Sequence, residues 1–314
     1  MKRIKDLYEK IISLDNLRLA DEKARRRKLR SYGVRVHDKN REANLLALHE
    51  TLKNRSFKNS EYSTFTIYEP KERLIFRLPY YPDRILHHAI MNILEPIWVS
   101  VFTKDTYSCI KGRGIHGAMR NVKRAIKDRE NARFCLKIDI RKFYPSIDHN
   151  VLKSIIRRKI KCKDTLALLD TIIDSSDGVP IGNYLSQFYA NLMLAYFDHW
   201  IKEVMRVKYY FRYADDMVFL AKTKEELHAL LAKIKEYLAD LKLTLKGNEQ
   251  VFPIAENRMD KHGRGLDFVG FVFYRAQTLM RKAIKQNFCR AAARLNKKPN
   301  ISAKDYKQRL CSWF

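Results

Sequence analysis

The chain has 314 residues, 46% of them hydrophobic, and carries 63 Lys and Arg against 35 Asp and Glu, a formal charge of +28. That is enough apolar material for one large core or two or three packed lobes, and the basic field favours a polyanion, most simply nucleic acid. No apolar run reaches bilayer length and the opening MKRIKDLYEK lacks the apolar stretch of a signal peptide, so neither a membrane-spanning nor a secreted protein is expected.

Residues 3–20 and 41–54 carry helical apolar spacing, with KARRRKLR (23–30) between them, six basic residues in eight. A charge run is usually a solvated face, but Arg25, Arg26, Arg27 and Lys28 as a group are candidates to grip phosphates. YSTFTIYEPKERLIFRL (62–78) predicts two strands around a turn at Glu69–Glu72. Residues 83–98 predict a buried helix holding His87 and His88 in packing roles. A short strand, FCLKIDI (134–140), precedes helices at 149–161 and 164–173. GVPIG (178–182) is a turn leading into a helix over 184–203. KYYFRYADDMVFLAK (208–222) reads as strand, tight turn, strand, followed by an amphipathic helix at 224–241. Strands are predicted at 242–246, 250–254 and 266–274, and basic helices over 281–313. Mixed elements with hairpins and no regular βαβ repeat argue for an α+β fold. The five cysteines form no CxxC pair and read as buried free thiols; the nine histidines include no HExxH.

Asp215 and Asp216 sit side by side among apolar and aromatic residues, and Asp139 ends a strand that is otherwise apolar apart from Lys137. If the strands are neighbours, the three carboxylates converge. Such a cluster either keeps a proton or demands a divalent cation, and an oxygen-only ligand set suits Mg²⁺. Two such ions, with Mn²⁺ as an alternative, would serve a phosphoryl-transfer reaction. The competing reading is an ordinary type I′ hairpin turn, in which Asp is favoured.

YADDMVFL (213–220) resembles the YxDD box of reverse transcriptases. LKIDIRKFYPSIDH (136–149), GVPIGNYLSQ (178–187), LTLKGNEQ (243–250) and LDFVGFVFY (266–274) are similar to the neighbouring motifs of that family, in order and spacing. The resemblance implies a right-hand polymerase fold, with an antiparallel palm sheet carrying the YADD hairpin, and DNA synthesis from template RNA, primer and deoxynucleoside triphosphates. It implies Asp139 and Asp215 as main metal ligands, Asp216 as supporting acid and the Ile140 carbonyl as a further ligand. Tyr144 would lie under the sugar and exclude a 2′-OH. Lys71, Arg73 and Arg77, on one strand face by the two-residue period, would meet the triphosphate, with Lys246 nearby.

Most of the family has Gln-Gly where this chain has Ile181-Gly182, and Ser-Pro where it has Ser186-Gln187. That pattern is similar to the reverse transcriptases of diversity-generating retroelements, which copy a template repeat with frequent errors at adenines. Ile181 cannot hydrogen-bond, so a misplaced base would meet less penalty there; Gly182 would allow close backbone approach, with Gln187 beside it. The resemblance also implies a small basic accessory protein forming a pentameric ring, and a cytoplasmic enzyme of bacterial, archaeal or phage origin.

The expected domains are an N-terminal basic helical extension (1–60), fingers (61–133 and 149–177), a catalytic palm (134–148 and 178–275) and a small basic thumb (276–314). In the thumb, Arg281, Lys282, Lys285 and Arg290 would contact template–primer phosphates. About 40 residues follow the palm, too few for an RNase H or maturase region, so a typical intron-encoded protein is disfavoured. A retron or phage-defence enzyme and a non-catalytic RNA-binding protein are the alternatives.

Overall fold

The computed structural model describes residues 3–68, 72–297 and 301–311. Four helices come first: α1 (Tyr8–Ile12), α2 (Leu14–Ala24), α3 (Tyr32–Asp38) and α4 (Arg41–Lys53). The predicted helix over 3–20 is therefore interrupted, because Ser13 leaves helical backbone and its side chain accepts from Asn16 N at 3.4 Å as an N-cap. An antiparallel hairpin follows, β1 (Ser63–Ile67) and β2 (Arg73–Arg77), in the register Ser63↔Arg77 to Ile67↔Arg73. Lys71 lies outside the described residues. Helix α5 (Ile85–Val99) is buried along most of its length, as its apolar composition predicts. Burial lowers the pKa of His87 to about 3 and of His88 to about 4, so both rings are neutral packing groups near pH 7.

Helix α6 (Ile115–Ala125) leads to β3 (Phe134–Asp139), then α7 (His149–Arg157), α8 (Lys163–Ile173), α9 (Tyr184–Met193) and α10 (Ala195–His199). The single helix expected over 184–203 is broken, since Leu194 departs from helical backbone and a wider π turn runs over Trp200–Val204. Strands β4 (Tyr209–Tyr213) and β5 (Asp216–Ala221), helix α11 (Lys224–Asp240) and β6 (Gln250–Pro253) complete an antiparallel four-stranded sheet of order β4-β5-β3-β6. Residues 242–246 form no strand; only Leu245 bridges Ile140. The predicted strand 266–274 is instead a hairpin, β7 (Leu266–Phe268) and β8 (Phe271–Phe273), because Val269 and Gly270 both adopt positive φ. With β9 (Thr278–Met280) it makes a separate three-stranded sheet. Helices α12 (Lys282–Asn296) and α13 (Ala303–Leu310) follow.

The two faces of the four-stranded sheet bury different cores. Leu136, Ile138, Tyr210, Met217 and Phe219 join the cluster shared with α5, α9 and α11. Cys135, Phe211, Val218 and Leu220 join the cluster under α6 and the small sheet. Alternation along β3 therefore places Lys137 and Asp139 on the second face. The thiols are mostly not buried: Cys135 is, whereas Cys109, Cys289 and Cys311 are exposed. Among the described residues no helix is long and apolar enough to cross a membrane.

Candidate active site

Strand β3 pairs with β5 so that Asp139 stands directly opposite Asp216. Strand β4 pairs with β5 from Tyr209↔Leu220 to Tyr213↔Asp216, leaving Ala214 and Asp215 as the two-residue loop. Of those two only Ala214 has positive φ (55°), whereas the type I′ turn of the competing reading needs positive φ at both positions. Asp216 thus belongs to the strand, while Asp215 projects from the loop. A non-glycine residue in this region is strained, and such strain persists where surrounding contacts hold it.

Three carboxylates share this sheet end with two lysines. Lys246 Nζ donates to Asp139 Oδ2 at 3.0 Å, and Lys137 Nζ to Asp216 Oδ2 at 3.2 Å. Asp215 has no such partner: burial, and then the neighbouring Asp139 charge, push its carboxyl up to about 6. Burial likewise raises Asp216, opposed by Lys137, and its Oδ1 is buried without a hydrogen-bond partner among the described residues. The site therefore holds oxygen donors and surplus negative charge, which fits a hard divalent cation. Among the described residues no three acidic, histidine or cysteine side chains close round an ion by themselves. An open carboxylate pair is how proteins usually hold Mg²⁺, which keeps waters and substrate phosphates in its shell. Ile140 follows Asp139 with its side chain buried, tied down by Arg141 N donating to Thr244 O at 2.9 Å.

Behind the loop lies a buried polar network that the sequence reading missed. Arg212 and Asp198 are both 0% exposed and paired through Nε–Oδ1 at 2.8 Å and Nη2–Oδ2 at 2.6 Å. Tyr210 and Thr106 hydroxyls donate to the same carboxylate at 2.6 and 2.8 Å. Arg212 Nη1 donates to Ala214 O at 3.1 Å, so the network reaches the strained residue of the loop. The only signal in the sequence was an arginine at an inward position of an apolar strand.

The turn after α8 seats against the rest through two glycines. Gly178 has φ 60°, and a Cβ there would lie 2.5 Å from Pro145 O. Gly182 has φ 124°, and a Cβ there would lie 2.3 Å from Phe76 O. What Gly182 approaches is thus β2, and Phe76 N donates to Ile181 O at 2.8 Å across the same junction. Gly182→Ala should lower unfolding stability by about 3 kcal/mol and reduce nucleotide incorporation, readable by urea titration alongside a primer-extension assay.

Tyr144 is half-buried, and burial raises its hydroxyl pKa, with Asp215 and Arg73 among the charges acting on it. Arg73 and Asp215 therefore both lie within Coulombic reach of the Tyr144 hydroxyl. Arg77, four residues along and about 13 Å away at the strand rise, lines a different feature. That feature is a cleft of about 1290 Å³ between the α2–α3 segment, β2 and the start of α9. Arg27, Lys28, Arg77, Arg84, Gly182 and Gln187 are among its lining residues, and no described lining residue is acidic. Burial and the Arg84 and Arg77 charges depress Lys28; burial depresses Arg84 too. Tyr32, 83% exposed, and Phe65, 49% exposed, offer aromatic faces.

The other basic candidates divide. Arg25 is engaged by Asp21 and Asp38, both at 2.8 Å, and Arg281 is held by Asp267, so these two guanidinium groups are committed to structure. Arg26, Lys282, Lys285 and Arg290 are exposed.

Residues 67–252 match the family model described as reverse transcriptase (RNA-dependent DNA polymerase). The chain is 27% identical over 236 residues to protein YkfC of Escherichia coli, covering 60% of this chain and 62% of that one. It is 27% identical over 138 residues to the group II intron-encoded protein LtrA of Lactococcus lactis, covering 40% and 22%. The fold is similar to Candida tropicalis telomerase in complex with a fragment of telomeric RNA (TM-score 0.52, 13% identity, 82% of this chain and 52% of that one). It is also similar to Candida albicans telomerase (TM-score 0.50, 10% identity, 83% and 55%). The chain thus spans less than two thirds of each of these proteins, and the structural likeness establishes the right-hand polymerase fold. With a family model matching more than half of its length, the chain belongs to the reverse transcriptase family.

Proposed function

We propose that the chain is an RNA-directed DNA polymerase that makes adenine-mutagenic cDNA from a template-repeat RNA, for mutagenic retrohoming in a diversity-generating retroelement. The observation that carries the polymerase reading is Asp215, a half-buried carboxylate with no ion-pair partner among the described residues, at a sheet end shared with Asp139 and Asp216. Asp139 and Asp215 would hold two Mg²⁺ ions, with Asp216 in support and the Ile140 carbonyl as a further ligand. Bound there, the ions supply Lewis-acid activation of the attacking hydroxyl and neutralise charge on the departing pyrophosphate.

The chain's own residues do the rest. Arg73, with Lys71 and Lys246, attracts the triphosphate. Tyr144 closes the floor beneath the sugar, where a 2′-OH would collide with its ring. The cleft takes unpaired template: Tyr32 and Phe65 offer stacking faces, while Lys28, Arg77 and Arg84 meet phosphates. Lys282, Lys285 and Arg290 face template–primer phosphates from a small thumb at 276–314, following a palm at 134–148 and 178–275. Ile181 fixes its carbonyl on β2 and offers only an apolar side chain to the site. This supports relaxed discrimination, since no polar contact is left unpaired by a wrong base.

Primer extension on an adenine-containing RNA template, with Mg²⁺, deoxynucleoside triphosphates and product sequencing, tests this. Substitutions concentrated at template adenines, and reduced by Ile181→Gln, are expected. Faithful cDNA from the wild type would defeat the mutagenic assignment. Product joined to a 2′-OH of the chain's own RNA would favour a retron-type enzyme. No product, with RNA binding intact, would favour a non-catalytic RNA-binding protein. The basic accessory ring expected as partner carries the same sign of charge as this chain, so RNA would have to bridge the two.

A further inference from the structure

Helix α12 buries little of itself: of its 15 residues only Leu295 is buried. Its own sequence also provides poorly for its start. Arg281 and Lys282 put positive charge at the positive end of the helix dipole, the first turn holds no acid, and no side chain caps it. The missing negative charge comes from β7. Arg281 Nε donates to Asp267 Oδ1 at 2.9 Å and Oδ2 at 3.1 Å, and Arg281 Nη2 donates to the same carboxylate. Arg281 N donates to Gly270 O at 2.9 Å, and a Cβ on Gly270 would lie 2.9 Å from Ile284 Cδ1. The first turn of α12 therefore sits on the β7–β8 turn.

The residue of β7 that anchors α12 is also gripped from β3. Lys137 Nζ donates to the Asp267 backbone carbonyl and to Asp216 Oδ2, the latter at 3.2 Å. One ammonium thus joins the carboxylate site to the anchor of α12, in the order Asp216, Lys137, Asp267, Arg281. A single exposed ion pair contributes little, but two guanidinium nitrogens on one carboxylate also fix its direction. Lys282, Lys285 and Arg290 lie exposed further along α12, so a change in the direction of the helix moves all three.

We infer that Arg281 and Asp267 are positioning residues of the polymerase. Through Lys137 they fix the direction of α12 relative to the palm acids, and so set how long the enzyme stays on its template–primer. The inference rests on the polymerase reading, and it has Arg281 act through Asp267 and not through a phosphate. The two roles differ in sign at Asp267. Removing that carboxylate frees Arg281 and adds one unit of positive charge, which tightens nucleic-acid binding if charge alone matters. If the pair aims the helix, the same change weakens binding.

The test uses the full chain with Asp267→Asn, Arg281→Met, the double variant and Arg281→Lys, each shown by urea titration to fold. Release of a labelled RNA–DNA template–primer is timed without nucleotides. The length of cDNA made in one encounter is then compared with the rate of first-nucleotide incorporation. Asp267→Asn and Arg281→Met should each speed release about three- to fivefold and shorten runs in proportion, the scale of losing one partly exposed pair. The double variant should match either single change, because each removes the same interaction. Arg281→Lys, which keeps the charge, should recover part of the loss. The slope of log K against log salt should be unchanged in Arg281→Met. Release as slow as wild type, slower release in Asp267→Asn, additive losses in the double variant, or a salt slope shallower by about 1 in Arg281→Met would each overturn the inference. Because release is timed without catalysis, a wild type that fails to extend primers refutes only the polymerase reading.

Discussion

Asp215→Asn should lower primer extension by about 10³–10⁴-fold, the several kcal/mol of charge stabilisation that a metal site contributes at 1.36 kcal/mol per tenfold. The same substitution should make the metal-free chain more stable at neutral pH. The folded Asp215 carboxyl titrates at about 6, above its ordinary value of 3.8. The folded state therefore prefers the protonated form. Below pH 3.8 the group is neutral folded or unfolded and imposes no penalty. As pH rises from 3.8 through 6 the penalty for ionising a carboxyl that is part-buried and beside Asp139 grows, reaching on the order of 3 kcal/mol above it. Chemical unfolding in a chelator should show asparagine and wild type alike near pH 4 and the variant more stable at pH 8. Adding Mg²⁺ should narrow the difference at pH 8, because the cation replaces the missing proton. Equal stability at pH 8 without metal would mean that neither burial nor the Asp139 charge disfavours the ionised carboxylate.

Arg212→Met should cost about 3–5 kcal/mol, because it strands a fully buried Asp198 without its cation. With total stability of about 5–15 kcal/mol typical of a folded domain, that variant will be largely unfolded on mild warming. The double variant Arg212→Met/Asp198→Leu should recover a large part of the loss, since no buried charge remains. It should not recover primer extension. Arg212 Nη1 also holds Ala214 O at 3.1 Å, and without that bond the strained residue relaxes and Asp215 moves with it. Urea titration together with single-turnover extension separates the two effects. A double variant with full activity would show that the guanidinium serves folding alone.

Several features were written in local sequence. Asp139 at the end of an apolar run and Asp215 between two strand patterns needed only a two-residue period and a turn. The amphipathic helix at 224–241 needed only 3.6 spacing, and Thr223 caps it as such sequences do. Helix α6 was not legible, because Gly114 and Gly117 precede a short apolar stripe of alanine and valine that packs only once the sheet exists beneath it. The strand expected at 242–246 failed for a related reason. Its alternation of leucine and polar residues suits a strand, but only Leu245 finds a bridging partner, Ile140.

By itself the sequence determined the order of the acid-bearing segments, the α+β class and the basic field, because periodicity and charge are properties of neighbours along a chain. Only the tertiary structure decided that Asp139 faces Asp216, that Lys246 and Lys137 neutralise two carboxylates and leave the third, and that Arg212 is wholly buried. It also decided that Arg73 and Arg77, two periods apart on one strand, have different surroundings, Arg73 within reach of Tyr144 and Arg77 lining the cleft. Each of these depends on which strand pairs with which and in what register. Register across some 75 residues is set by the fit of whole buried faces, a quantity no local window contains.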